Sequence, residues 1–241
     1  MRRWAAVPAS RLRCARTDRC VTREPEAHVR VSDRVTALLA PHREQEATRL
    51  LKTYFAPRPQ GRFSGAYFER LGGGGDRPEV ADTFTADDLV AVSLLAVDIG
   101  GDAALDLLVT RRDRLEALLR EVPRDVALAD LAADEAGDSW TVRPLYRELL
   151  SIRGLGETSV TKLLARKRPH LVPILDSVVA EELGVVKGRY WSPLHAWLVA
   201  DDRRMHRRLE ALRETAGIGA DISVLRVFDV LVWMVGKGYD R

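Results

Sequence analysis

Residues 149–179 carry the sequence LLSIRGLGETSVTKLLARKRPHLVPILDSVV, which predicts two helices joined by a tight turn. Gly154 and Gly156 flank a single leucine, so the backbone can turn sharply and adopt positive φ angles that other residues rarely tolerate. Beyond the turn, apolar residues recur at helical spacing until Pro169 stops the pattern. The order that follows is helix, turn, helix, basic loop, and a further helix that opens at Asp176.

IRGLGETSVTKLL followed by LVPILDSVV resembles the hairpin and aspartate region of the helix-hairpin-helix base-excision DNA glycosylases. The resemblance implies a glycosylase-like all-α fold, double-stranded DNA as partner, and Asp176 as the catalytic carboxylate. Bifunctional members of that family carry a lysine where this chain has Thr158. The resemblance therefore implies a monofunctional enzyme that uses water to release a damaged base. Most of residues 62–241 also resembles an uncharacterised bacterial family that shares the hairpin and the KRP stretch and implies no established activity.

DNA phosphates are the predicted partners of the turn and of the cations that follow it. Unpaired amides at a helix start bind anions, and residues 151–190 carry seven basic and four acidic side chains, the local excess that phosphate contact requires. The alternative is a solvated helix C-terminus, where the helix dipole favours cations. The predicted phosphate-binding residues are Gly154, Gly156, Thr158, Lys162, Arg166, Lys167 and Arg168.

Asp176 has two interpretations, which are compatible in geometry. A carboxylate here would stabilise positive charge on the deoxyribose and orient the attacking water, or it would serve only as the N-cap of the next helix. Tyr190 and Trp191 are candidates for stacking on an extruded base, and core packing is their alternative. The histidines lack metal-ligand spacing, and Cys14 and Cys20 have no partner cluster, so neither a metal nor a cofactor is predicted.

Charge is unevenly distributed along the chain. Residues 1–30 hold eight arginines against three acidic side chains, whereas residues 31–241 have a net charge of −2. The arginine-rich segment predicts a disordered tail, and the alternative is a translation start assigned too far upstream. The longest apolar stretch, Ile222 to Val235, contains Arg226 and Asp229 and predicts a buried helix with an i,i+3 ion pair, not a membrane span. We expect a cytoplasmic protein with no membrane partner; protein partners are not predicted.

Helical patterns continue along the body and predict a helical bundle, one all-α domain over residues 31–241. Residues 31–75 would form N-terminal helices and a glycine loop, and residues 82–241 the core, with the hairpin at 145–168. The four glycines at 72–75 lack a following Gly-Lys-Ser/Thr, which favours a flexible loop over a phosphate cradle. Thr85 with Asp88 predicts one helix start, and Asp221 is predicted to cap the last helix.

Three functions from different classes remain open. The first is a DNA-repair glycosylase that acts through Asp176, and the second is a non-catalytic module that binds DNA through the hairpin. The third is a helical scaffold whose hairpin serves packing or a protein partner. The near-neutral body favours the third, whereas the spacing from the Gly-x-Gly turn to Asp176 favours the first. Whether the protein is an enzyme is left open.

Overall fold

The computed structural model describes residues 29–137, 139–185, 188 and 190–241, and these contain ten α-helices and no β-strand. The predicted all-α class is confirmed. The helices are α1 (Asp33–Leu39), α2 (Glu44–Tyr54), α3 (Ala86–Ser93), α4 (Gly101–Leu105), α5 (Arg112–Arg120), α6 (Arg143–Leu150), α7 (Glu157–Lys167), α8 (Ser177–Leu183), α9 (Trp191–Ala216) and α10 (Val224–Gly236).

The predicted disordered tail, residues 1–30, lies almost wholly outside the described residues. Its last two residues belong to the body. Arg30 donates its backbone N–H to the carbonyl of Leu183 at 3.1 Å, and Ser32 donates to the carbonyl of Glu182 at 2.9 Å. The backbone that precedes α1 is therefore hydrogen-bonded to the C-terminal end of α8.

Helix starts follow local capping chemistry. The Asp88 carboxylate accepts from the backbone N–H of Thr85 at 2.8 Å, which confirms the predicted start of α3. At α10 the prediction of Asp221 as the cap is wrong. Ser223 Oγ accepts from the N–H of Arg226 at 3.1 Å instead, and Asp221 forms an ion pair with Arg70 at 2.5 Å.

The last helix, α10, is the centre of the hydrophobic core. It packs against α1, α2, α8 and α9, and all but two of its residues are buried. Each fully buried valine, leucine or phenylalanine contributes about 1.5–3 kcal/mol relative to an exposed one. Arg226 and Asp229 form the predicted i,i+3 ion pair, with both side chains buried. Among the described residues, no helix combines the length and apolarity that crossing a bilayer requires.

Helices α6 and α7 pack against each other and are joined by the predicted tight turn. Gly154 has φ +93°, the left-handed region that favours glycine. Glu157 closes the pair, because its Oε1 accepts from the hydroxyl of Tyr146 at 2.9 Å. On its other side α7 packs against α3. Helix α7 therefore packs between α6 and α3, and this packing sets the directions in which its side chains, Lys162 and Arg166 among them, project.

The glycine run is a defined turn rather than a bare linker. Gly72, Gly73 and Gly74 have φ angles of +59°, +82° and +100°, which only glycine adopts readily. Gly75 lies directly against Arg166: a Cβ at this position would meet the arginine Cγ, Nε and backbone oxygen at 2.7 Å. The run thus lets the chain pass closely over the end of α7.

Candidate functional site

Asp176 lies where the loop after α7 enters α8. Thr161 Oγ1 accepts from the backbone N–H of Leu175 at 3.2 Å, which ties this loop to α7. Asp176 has extended backbone angles, and its Oδ1 accepts from the N–H of Val179 at 2.9 Å. The N-cap interpretation is therefore confirmed. Among the described residues, no hydrogen bond to the second carboxylate oxygen is formed, so that oxygen is left for another partner.

A cleft of about 270 Å³ opens beside Asp176. One wall is aromatic: the rings of Tyr54 and Phe63 stack with centroids 5.1 Å apart, and Trp233 meets Phe63 edge-on at 5.8 Å. The remaining lining residues are Arg62, Ser64, Gly65, Ser93, Leu94, Leu95, Ala96, Lys162, Ile174, Arg226 and Asp229. A wider groove beside α2 has no aromatic ring in its lining. The cleft at Asp176 is therefore the candidate site.

Arg226 holds the floor of the cleft. Its Nη2 donates to the hydroxyl of Tyr54 at 2.8 Å and to the carbonyl of Gly65 at 3.0 Å. It also pairs with Asp229 and, at 2.7 Å, with Glu69. One guanidinium thus joins α10 to α2 and to the segment after it. A buried cation is tolerated here because two carboxylates and two oxygen acceptors surround it.

Asp229 is the second carboxylate of the cleft. Burial raises the pKa of Asp229 to about 6; Arg226 opposes this shift, and the Asp176 carboxylate adds to it. Two carboxyl groups in different environments thus share one cleft: Asp229 is buried against a guanidinium, and Asp176 is half-buried at a helix start. Such pairs are typical of sites that transfer protons.

Lys162 projects from α7 into the same cleft. Its ammonium donates to the carbonyl of Leu95 at 2.8 Å. Burial lowers the pKa of Lys162, and Asp176 and Asp229 partly offset the shift. A buried lysine whose pKa is lowered in this way is a candidate for acid–base or nucleophilic chemistry.

The rim of the cleft carries backbone strain. Ala96 has φ +58°, a left-handed conformation that costs a non-glycine residue about 1–2 kcal/mol. It directly follows Leu95, whose carbonyl accepts from Lys162. Strained residues persist where the surrounding structure holds them, and they concentrate at functional sites.

Most of the chain matches a single family of proteins. The family model described as a family of unknown function (DUF6308) matches residues 47–236. The chain belongs to this family. No curated protein and no solved structure matches it. Every lining residue of the cleft, from Tyr54 to Trp233, lies inside the DUF6308 region.

In this DUF6308 protein, Arg166 is directed inward from α7. Its guanidinium donates to the carbonyls of Phe68, Glu69 and Leu71, which belong to the segment before the glycine run. It also lies 3.3 Å from Asp88 Oδ1. The side chain is 2% exposed, and its donors are occupied by the protein itself.

Lys167, the next residue of α7, is also buried and bonded within the protein. Its ammonium lies 2.5 Å from Asp88 Oδ2 and donates to the carbonyls of Gly75 and Val80 at 3.1 Å each. Burial lowers the pKa of Lys167, and Asp88 opposes that shift. All three ammonium hydrogens therefore have acceptors within the protein.

Arg168 is the third buried cation at the end of α7. We call Arg166, Lys167 and Arg168 together the internal anchor. Arg168 donates to the carbonyls of Ala81, Leu119 and Val122 at 2.7, 2.6 and 3.0 Å. Its Nη2 also lies 2.8 Å from Asp82 Oδ1. These partners come from segments on both sides of α3 and α4, so the end of α7 is tied into the body from several directions.

The predicted phosphate contacts of Lys162, Arg166, Lys167 and Arg168 are wrong. Phosphate contact and a solvated helix end both require exposed side chains, and these four are at most 3% exposed. Desolvated cations need acceptors, and carbonyls and carboxylates from distant segments supply them. The turn itself stays accessible: Gly154 and Gly156 are exposed and Thr158 is half-buried. The role of these three residues as phosphate contacts remains a prediction.

The interpretation of Tyr190 and Trp191 as stacking residues is also wrong, because both are buried in the core. Trp191 packs between Trp140 and Tyr146, with ring centroids 4.4 and 4.7 Å away. The hydroxyl of Tyr190 is buried and has no hydrogen-bond partner among the described residues. Burial raises the pKa of Tyr190, and Asp229 and Asp176 add to the shift, so this hydroxyl lies in the field of the two carboxylates.

Sequence reasoning missed the aromatic wall of Tyr54, Phe63 and Trp233, because these residues are up to 179 positions apart in the chain. The signal that was present is the pair Arg226 and Asp229 inside an apolar helix, since buried charges mark either ion-pair networks or functional sites. Within the described part of the chain, no three His, Cys, Asp or Glu side chains are grouped as a metal site.

Proposed function

We propose that this protein binds double-stranded DNA and hydrolyses the N-glycosidic bond of a damaged base in the cleft at Asp176. The observation that carries the proposal is the position of Asp176: its carboxylate, with one oxygen unbonded among the described residues, lines a cleft that is also lined by three aromatic rings. This arrangement pairs a group that stabilises a sugar cation with a surface that accepts a flat ring.

The proposed reaction uses the two parts of the cleft separately. The base stacks on the aromatic wall, the C1′–N bond breaks, and the base leaves with the bonding electron pair. Asp176 stabilises the positive charge that develops on the sugar. It then accepts a proton from the water that adds to C1′. The Asp176 carboxylate in turn acts on its neighbours, because it raises the pKa of Asp229 and opposes the lowering of the pKa of Lys162.

The size of the cleft supports a single ring system as ligand. Its volume of about 270 Å³ lies just below the range of small-molecule pockets, roughly 300–1,000 Å³. A base that has left the duplex is of this class. The cation of Arg62 lies over the ring of Phe63 at 5.2 Å, so the entrance to the aromatic wall is positively charged.

DNA contact is assigned to the turn between α6 and α7, as a helix-hairpin-helix motif. Gly154 and Gly156 are exposed, and within the described part of the chain no side-chain cap is formed at Gly156, where α7 begins, so the first amides of this helix are available to a phosphate. The negative charge of Glu157 lies in the first turn of the same helix and would oppose a phosphate. Its carboxylate accepts from the hydroxyl of Tyr146 and from the N–H of Gly188, so it is held by these two donors.

A second candidate function is a helical scaffold without catalysis. The burial of Arg166, Lys167 and Arg168 favours it, because the most basic stretch of the body serves folding rather than a ligand. The net charge of −2 over residues 31–241 favours it too, since non-specific DNA binding depends on cationic contacts.

A binding titration with the full chain separates these functions. The ligands are a duplex that contains a stable abasic-site analogue and the same duplex without it, each at two salt concentrations. We expect selective binding to the analogue, lost in Gly154→Val combined with Gly156→Val. The variant keeps the arginine-rich tail, so any binding by the tail is common to both proteins. Equal or absent binding to the two duplexes would favour the scaffold.

Base release is tested with Asp176→Asn. The variant retains a capping side chain but loses the charge, so we expect base release to fall about 100-fold or more with binding nearly unchanged. Asp113→Asn is the matched control, because Asp113 is exposed on α5 and forms no ion pair among the described residues. Equal activity in both variants would remove Asp176 from the mechanism.

A further inference from the structure

Two buried lysines on α7 differ sharply in their surroundings. Lys167 has an aspartate at 2.5 Å and two carbonyl acceptors. Lys162 is almost as buried, at 3% exposed, yet its ammonium makes a single hydrogen bond to the described residues, to the carbonyl of Leu95. No carboxylate of the described residues lies within ion-pair distance of its ammonium. Lys162 also lines the cleft, and Lys167 does not.

We propose that Lys162 is a reactive amine that captures an aldehyde entering the cleft by forming an imine. A lysine held in a desolvated cleft without an ion pair loses much of the stabilisation of its charged form. The neutral amine is the nucleophile in reactions with carbonyl compounds. The internal comparison with Lys167 shows that this chain satisfies a buried lysine fully where the lysine is structural.

The surrounding groups serve the required proton transfers. The amine adds to the carbonyl carbon, the carbonyl oxygen takes a proton, and a carbinolamine forms. Loss of water from the carbinolamine then gives the imine, so no oxidant or reductant is needed. Asp176 and Asp229 are the carboxyl groups whose charges act on Lys162. Neither carboxylate lies within ion-pair distance of the ammonium, so in the proposed step a water molecule carries the ammonium proton to one of them and later returns it to the departing hydroxide.

The cleft favours an aldehyde carried on a flat or compact group. Its lining includes the rings of Tyr54, Phe63 and Trp233, and its volume of about 270 Å³ admits one ring. An abasic sugar in its open form and a free small aldehyde present the same carbonyl chemistry. This inference departs from the water-using mechanism that Thr158 implies. It shares the cleft with the proposed function, but it requires no base release.

Reductive trapping tests the inference with the full chain. One arm supplies a duplex with a preformed abasic site, and the other supplies pyridine-4-carboxaldehyde, both with sodium cyanoborohydride. The intact mass measures the adduct, and peptide mapping identifies the modified amine. We expect modification at Lys162, and a loss of at least about tenfold in Lys162→Arg, which keeps the charge but cannot form the imine.

The controls are Lys52→Arg and Lys237→Arg, because both lysines are exposed. Trapping at Lys162 by the duplex identifies a sugar aldehyde, and trapping by the pyridine aldehyde alone identifies a free small carbonyl compound. An adduct confined to other amines, or none, would overturn the inference. If Lys162→Arg does not fold, peptide mapping of the unmodified sequence still decides. Base release by Asp176 can fail while trapping succeeds, so the two proposals are separable.

Discussion

Arg168 and Asp82 form an ion pair in which the guanidinium is buried: Nη2 lies 2.8 Å from Oδ1, and the arginine side chain is 1% exposed. Asp82 is also paired with the exposed Arg124. Although burial opposes it, hydrogen bonds from Arg124 and Arg168 hold the pKa of Asp82 below its usual value. The aspartate therefore joins an interior cation to a surface cation.

Removing this arginine should be severely destabilising. In Arg168→Ala four carbonyls lose a donor and Asp82 loses its buried partner, so we expect a decrease in the free energy of unfolding of about 3–5 kcal/mol. Chemical denaturation of the two proteins measures it. Arg153→Ala is the control, because Arg153 is exposed on the turn and should change stability by no more than about 0.5 kcal/mol. Similar values for the two variants would contradict the anchor.

The glycines of the chain should differ in their tolerance of alanine. A Cβ at Gly75 would meet Arg166 atoms at 2.7 Å, whereas a Cβ at Gly156 meets nothing within 4 Å. We expect Gly75→Ala to cost about 1–3 kcal/mol through overpacking, and Gly156→Ala to cost less than about 1 kcal/mol. Thermal and denaturant unfolding of both variants provides the comparison, and the reverse order would contradict the close contact with Arg166.

Asp229 should make stability fall as pH rises. Its pKa in the folded protein is about 6, raised from 3.8 by burial. Between these values the folded state binds the proton more tightly than the unfolded state. The stabilisation that the raised pKa of Asp229 contributes to the free energy of unfolding is thus complete below about pH 4 and lost above about pH 6.

The measurement is the free energy of unfolding from pH 4 to pH 7 for the natural protein and for Asp229→Asn. The variant lacks this titration, so the difference between the two curves isolates Asp229. We expect the natural protein to lose on the order of 2 kcal/mol relative to the variant across the window. Parallel curves would show that the pKa of Asp229 is the same in the folded and unfolded states.

The N-cap role of Asp176 predicts a stability effect distinct from catalysis. Asp176→Ala removes the acceptor for the Val179 N–H and should cost about 1 kcal/mol, whereas Asp176→Asn should cost little, because asparagine caps equally well. Denaturant unfolding of both variants measures this. Equal destabilisation by alanine and asparagine would show that the charge, not the cap, stabilises α8.

The helical architecture was predictable because its signals are local. Apolar spacing, the glycine turn at Gly154, the start of α3 and the cap at Asp176 all act within a few residues. The ion pair of Arg226 and Asp229 was predictable for the same reason, since i,i+3 neighbours share a helix face. The error at Asp221 is small and of the same kind, because Ser223 two residues later is an equally good cap.

The environment of the basic stretch was not predictable, because charge counting assumes exposure. Apart from the carbonyl of the adjacent Lys167, the acceptors of Arg168 come from residues 81–122, and those of Arg166 come from residues 68–88. No window of sequence contains both a donor and its partners. The cleft escaped prediction for the same reason: its aromatic wall and its carboxylates come from α2, α10 and the loops that follow α2 and α7.

The internal anchor at the end of α7 has a consequence for ligand binding. Lys162 lies on a helix that is held by the turn at one end and by Arg166, Lys167 and Arg168 at the other. The conformational entropy of this segment is therefore lost when the protein folds and not when a ligand arrives. A ligand that enters the cleft meets preorganised groups, so a larger share of its contact energy appears as affinity or as rate acceleration.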